Sequence, residues 1–265
     1  MSTIEVLIAT MHKENKNDIV DLLKTMNINS NSVVVSQCNK NDIEKFNYKN
    51  HSVICVFTTE RGLSRSRNLA LQYATADIVV IADDDVRYTD DYSEIVVLAH
   101  AKYSKYDILT FQVKDDKKYF DTEKRLNRLL TFKVSSVEIT MKLSSIKNMT
   151  FNVLFGTGSS CFKHGEENIF LYSSVKKNKK IMYIPQKIAY LENSIPSTWF
   201  VGYNKNYMMD HGAVYYEISS LLVLPYILQF AFRRYKSYKK DMGCFSAIGY
   251  MISGVLKYKK ILNGG

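Results

Sequence analysis

Short, continuously apolar runs alternate with segments of helical period through the first half of the chain. Residues 4–9, 32–36, 52–57 and 76–82 are the four apolar runs, rich in Val and Ile. Runs of this length without polar alternation predict strands buried on both faces, as in a parallel sheet. Between the first two, residues 17–26 carry Ile19, Val20, Leu22 and Leu23 at helical spacing. Between the last two, residues 62–74 place Leu69, Ala70, Tyr73 and Ala74 on one stripe, with Ser64 as the expected N-cap. Strand and helix in alternation predict β-α-β units, hence an α/β fold with a mostly parallel sheet flanked by helices.

The second half is less regular. Residues 107–113 predict a strand and residues 124–134 a helix, while 135–150 carry no clear period. Residues 151–155 lead into Gly156-Thr157-Gly158, and 180–183 and 187–191 predict two further short strands. Residues 218–232 and 244–256 are strongly apolar, each shorter than the roughly 20 residues a spanning helix needs. The expected division is a catalytic domain over 1–212, with halves of about 1–115 and 116–212, and a helical basic tail over 213–265.

Charge sharpens the reading of that tail. The chain has a formal net charge of +10, and residues 233–265 hold eight Lys and Arg against the single acid Asp241. A basic tail fits an anionic partner. Its apolar, tyrosine-rich surroundings favour an anionic membrane surface over nucleic acid, with amphipathic helices lying in the headgroup region. A helical pair packed on the catalytic domain, with a solvated basic face, fits the same residues. At 265 residues with 46% apolar content and three prolines, one large domain with an appendage is expected. Met1-Ser2-Thr3 runs straight into the first strand without a signal sequence, and Cys38, Cys55, Cys161 and Cys244 show no metal-ligand spacing. Reduced thiols and a cytoplasmic setting, peripheral at the inner face of the plasma membrane, are expected.

The chemistry begins at Asp83-Asp84-Asp85, directly after the apolar run 76–82. Ligands of open α/β sheets bind outside the carboxyl ends of the strands. Three adjacent carboxylates there repel one another, and a hard divalent cation shared with phosphate oxygens would relieve them. An acidic turn capping a strand fits the same letters. Arg65 and Arg67 lie in the first turns of the helix over 62–74, which starts at the same sheet edge and can offer guanidinium donors to a phosphate. Gly156-Thr157-Gly158 is too short for a dinucleotide fingerprint, and no Walker-type glycine loop is present. Gly165-Glu166-Glu167 fits both ordinary helix-start acids and a general base.

Taken in order, Thr10 at the end of the first strand, Gly62 to Arg67-Asn68, Asp83-Asp84-Asp85, Gly156-Thr157-Gly158 and Gly165-Glu166-Glu167 resemble the family 2 glycosyltransferases over residues 1–200. Bacterial enzymes that build surface polysaccharides are the most similar members. The resemblance implies a GT-A fold, a mixed, mostly parallel Rossmann-like sheet, and an inverting, metal-dependent transfer from a nucleotide-diphosphate sugar, UDP-linked by preference, to a glycan or lipid-linked acceptor. It implies Asp85 and Asp83 as ligands of Mn2+ or Mg2+, with Glu192 as a third, in place of the late histidine of many members. Thr10, Arg67, Asn68, Asp83, Asp84 and Gln37 then fall on the nucleotide-sugar side and Gly156, Thr157 and Gly158 on the acceptor side. Glu167 matches the second acid of the family's Glu-Asp pair, the catalytic base, with Glu166 as its alternative. A metal-dependent nucleotidyltransferase or phosphohydrolase, and a non-enzymatic membrane-attached scaffold, are the rival readings.

Overall fold

A computed structural model describes residues 2–115, 117–191 and 202–264. Its strands are β1 (Ile4–Met11), β2 (Asn31–Gln37), β3 (Asp42–Tyr48), β4 (His51–Thr58), β5 (Ile78–Asp83), β6 (Val86–Tyr88), β7 (Ile108–Gln112), β8 (Lys124–Leu126), β9 (Ile139–Lys142), β10 (Ile181–Lys187) and β11 (Ala189–Leu191). The helices are α1 (Lys16–Thr25), α2 (Leu63–Tyr73), α3 (Tyr92–Lys102), α4 (Leu143–Ile146), α5 (Glu166–Lys176), α6 (Lys205–Ile218), α7 (Val223–Arg233), α8 (Tyr235–Tyr238) and α9 (Cys244–Asn263).

The described residues form a nine-stranded sheet in the order β3-β4-β2-β1-β5-β9-β7-β10-β8. Strands β4, β2, β1 and β5 pair in parallel, as their apolar runs predict. Val6, Ile8, Val34 and Val80 fill the core on one face, and Leu7, Val33, Val35 and Ile81 the core on the other. Alternate residues of each central strand thus enter opposite cores. The start of α1 is fixed by a capping box between Asn15 and Asp18.

Three elements depart from the sequence reading. Strand β3 pairs antiparallel with β4 at the sheet edge. The two strands join through Lys49 and Asn50, both at positive φ (47° and 66°), as a two-residue hairpin requires. Residues 124–134 form β8 and a 3₁₀ turn instead of a helix. There the Asn127 side chain accepts hydrogen bonds from the backbone N–H groups of Leu129 and Leu130, a local turn that competes with helix. Strand β9 inserts antiparallel between β5 and β7, so β7 and β10 run in the same direction as β5.

The C-terminal helices do not begin a separate unit at residue 213, because α6 runs through that point. Helices α6, α7 and α9 share one apolar core with Phe155, Phe162 and α5 residues Ile169 and Tyr172. The crossing of α6 and α9 is set by two glycines. A Cβ at Gly212 would lie 1.8 Å from the Met251 carbonyl oxygen, and one at Gly254 1.8 Å from that of Met209. Gly254→Ala therefore forces the helices apart, with an expected loss of about 1–3 kcal/mol. At 2–4 °C per kcal/mol this lowers Tm by roughly 2–12 °C. Thermal unfolding followed by circular dichroism checks it, and an unchanged Tm would refute the close crossing.

Candidate active site

In the sheet, β2 lies on one side of β1 and β5 on the other. Strand order reverses between β1 and β5, which opens a crevice at their carboxyl ends. Ala9 is in register with Asp83, so Thr10 meets the residues that follow β5. The Thr10 hydroxyl donates to Asp84 Oδ2 at 2.6 Å. The chain then turns over Asp84 and Asp85 into β6, which β11 anchors by antiparallel pairing of Leu191 with Val86. Asp83 and Asp85 are half-buried and Asp84 is exposed. Burial, and then the charges of Asp83 and Asp84, push the Asp85 carboxyl above its ordinary range. Asp85 is also the member of the trio with no ion pair or side-chain hydrogen bond among the described residues.

Helix α2 locks this corner to α5. Arg67 is 1% exposed, and its Nη2 donates to Asp83 Oδ1 while its Nη1 donates to Glu166 Oε1, both at 2.8 Å. Burial alone would pull its pKa down, but Asp83 and Glu166 hold it charged. Expected as a phosphate donor, Arg67 instead joins the acids of two elements. Asn68 and Gln37, expected to touch the nucleotide, have both ends of their amides engaged within the protein. Asn68 exchanges two hydrogen bonds with the Phe151 backbone. Gln37 donates to Ser66 Oγ and accepts from the Gly62 N–H. Gly62, at φ 119°, is the N-cap of α2 in place of Ser64, whose hydroxyl donates to the Phe155 carbonyl from inside the helix.

Gly156-Thr157-Gly158 closes the joint between the two helix starts. The Thr157 carbonyl accepts from the Leu63 N–H at 2.8 Å. A Cβ at Gly156 would sit 3.1 Å from Ser64 Oγ and 3.3 Å from the Glu166 carboxyl carbon. The loop thus holds α2 close to α5, and glycine leaves room for the Glu166 carboxylate.

Glu166 and Glu167 have been given different surroundings. Both begin α5, where the positive end of the helix dipole favours carboxylates. Gly165 precedes them at φ 94°, with Val214 Cγ2 2.4 Å from where its Cβ would be. Glu166 is buried and paired with Arg67. Glu167 is half-buried with no side-chain partner among the described residues. Burial, and then the Glu166 charge, push its carboxyl up to about 8. A carboxyl held above its usual range and outside any direct ion pair is suited to accept a proton.

Sequence reasoning missed the loop after β7. Because β7 runs with β5, that loop leaves the sheet at the same edge. Lys114 lies within electrostatic reach of Asp85, and Lys117 within reach of Glu167. Lys117 donates to Glu138 Oε2 at 2.7 Å, and the Tyr119 hydroxyl donates to Glu138 Oε1 at 2.8 Å. The charged run Lys114-Asp115-Asp116-Lys117-Lys118 after a strand was the available signal. Glu192 lies outside the described residues. His211 lies within α6, packed against His164, Tyr207 and Phe230.

The oxygen-only set at the β5 corner suits a hard cation such as Mn2+ or Mg2+. The Asp85 oxygens, the second oxygen of Asp83 and Oδ1 of Asp84 are the carboxylate atoms without a hydrogen bond to another described residue. Among the described residues no group of three or more His, Cys, Asp or Glu side chains converges on a metal position. A cation there would draw its remaining ligands from a phosphorylated substrate and water.

A nine-stranded, mostly parallel sheet with its site at the β1/β5 switch point matches solved glycosyltransferases of the GT-A fold. S. aureus TarS 1-349 in complex with UDP-GlcNAc superposes with a TM-score of 0.61 at 14% identity, covering 90% of this chain and 74% of that one. TarS 1-349 in complex with UDP gives 0.61 at 13%, covering 96% and 81%. The model of glycosyl transferase family 2 matches residues 40–177, and the chain belongs to that family. Comparison with curated proteins gives no match.

Proposed function

We propose that the protein moves a sugar from a nucleoside-diphosphate donor to a hydroxyl of a glycan or lipid-linked acceptor, with inversion at the anomeric carbon. The observation that carries this reading is the split between the two acids: Arg67 ties Glu166 to Asp83 and leaves Glu167 as an unpaired carboxylate of raised pKa. Glu167 accepts the proton of the acceptor hydroxyl. The hydroxyl oxygen attacks the anomeric carbon from the face opposite the diphosphate, the carbon–oxygen bond to phosphate breaks, and its electron pair leaves with the nucleotide. A divalent cation held by Asp85 and Asp83 would, when bound, neutralise charge on that leaving group. Lys114 and Lys117 add positive charge within reach of Asp85 and Glu167. Thr10 and Asp84 are assigned to the nucleoside side of the crevice.

A UDP-sugar is favoured as donor because the TarS structures hold UDP-GlcNAc and UDP. The ordered motifs fit the family 2 enzymes of bacterial surface-polysaccharide synthesis. Peripheral work at a membrane, with the cytoplasmic face as the proposed side, draws on the apolar outer surface of α7 for the membrane contact. A screen of UDP-, GDP- and dTDP-sugars, following nucleotide diphosphate release with and without glycan acceptors, tests the reading. Release that requires an acceptor is expected. Release independent of any acceptor would instead identify a phosphohydrolase.

A further inference from the structure

Helix α7 has apolar residues on both sides. Tyr226, Ile227 and Ala231 face the helical core. The opposite side carries Leu224, Leu228 and Phe232, spaced i, i+4 and i+8 on one stripe that continues from Leu221. Leu221 is 88% exposed, Phe232 65% and Leu224 52%. A helix in water presents polar residues there. Phe245, at the start of α9, is 87% exposed as well.

The stripe runs directly into Arg233, Arg234, Lys236, Lys239 and Lys240, all exposed. None of them takes part in an ion pair among the described residues. We propose that the outward face of α7 and this basic segment dock on an anionic lipid bilayer, with the apolar stripe in the headgroup–acyl boundary and the cations at the phosphates. Among the described residues no helix is long and apolar enough to cross a membrane, so the contact lies on the surface. A second copy of the chain is the poorer occupant, because a two-fold contact through this face would set one basic segment against another. The inference stands on the tail alone and holds whatever the cleft transfers.

Flotation of the full chain with vesicles tests it. Phosphatidylcholine vesicles containing phosphatidylglycerol should carry the protein, pure phosphatidylcholine much less, and added salt should weaken the contact. Leu224→Glu with Leu228→Glu should abolish flotation, and Lys239→Ser should lower the partition coefficient about fivefold. Unchanged thermal unfolding would show that these variants remain folded. Flotation without dependence on anionic lipid, no flotation at all, or flotation unaltered in the Glu variants would overturn the proposal. So would a vesicle-free dimer, seen by sedimentation velocity and lost in the same variants, which would assign the face to a second copy.

Discussion

Glu167→Gln should lower sugar transfer roughly 100- to 10,000-fold while leaving affinity for the nucleotide diphosphate unchanged. The amide keeps the size of the side chain and loses only the ability to take a proton. Glu166→Gln should act differently, because Glu166 is held by Arg67 at 2.8 Å and its loss disturbs the joint between α2 and α5. It should lower stability and donor affinity together. Because Glu167 is active when deprotonated, and is raised above its usual range by burial and by Glu166, kcat/KM should climb with pH well past the point where an ordinary glutamate, near about 4.3, is fully ionised. The sign for stability is the reverse. The folded state binds that proton more tightly than the unfolded chain does. Stability is therefore present at acidic pH and declines as pH rises from the ordinary glutamate range to the raised pKa. Glu167→Gln should flatten that decline. If Glu166→Gln abolishes turnover with Tm intact while Glu167→Gln works normally, the two acids have been assigned the wrong way round.

The largest effect on stability should come from Arg67→Met. The guanidinium is buried and bridges Asp83 and Glu166. Removing it leaves two carboxylates facing an apolar side chain with no counter-charge, which costs roughly 3–5 kcal/mol. Tm should fall by roughly 6–20 °C. Without the cation the two carboxylates face each other with no positive charge between them. Arg67→Lys should recover only part of the loss, since a single ammonium cannot reproduce a planar fork between two acids. Calorimetry decides the matter, and a small shift would show that the pairing contributes little.

How far these features were legible depended on whether local pattern or distant contact decides them. The buried parallel strands were legible because residues such as Val79, Val80 and Ile81 admit no solvent face. Strand β3 was not, because Asp42, Glu44 and Lys45 give it the polar look of a loop, as an edge strand often has. Residues 124–134 read as helical until the Asn127 side chain, a local competitor, is counted. The Asp83–Asp85 turn stood out because it ends a buried strand. The partner of Arg67 did not, since 99 residues separate it from Glu166. Asn68 and Gln37 show the complementary limit: no sequence pattern revealed that their amides tie down the Phe151 backbone and the start of α2. The helical tail was read as an appendage because its apolar runs 218–232 and 244–256 sit beside a basic cluster, a local pattern that cannot show α9 crossing α6 at Gly212.

If the β5 corner and the start of α5 form one donor cleft, Asp85 governs how the protein holds UDP. Calorimetric titration of UDP into the wild type and into Asp85→Ala, with and without Mn2+, measures this. Saturable binding that strengthens with Mn2+ is expected in the wild type, with that dependence lost in Asp85→Ala and Tm unchanged. Equal affinity for UDP in the two proteins, with the same response to Mn2+, would contradict it.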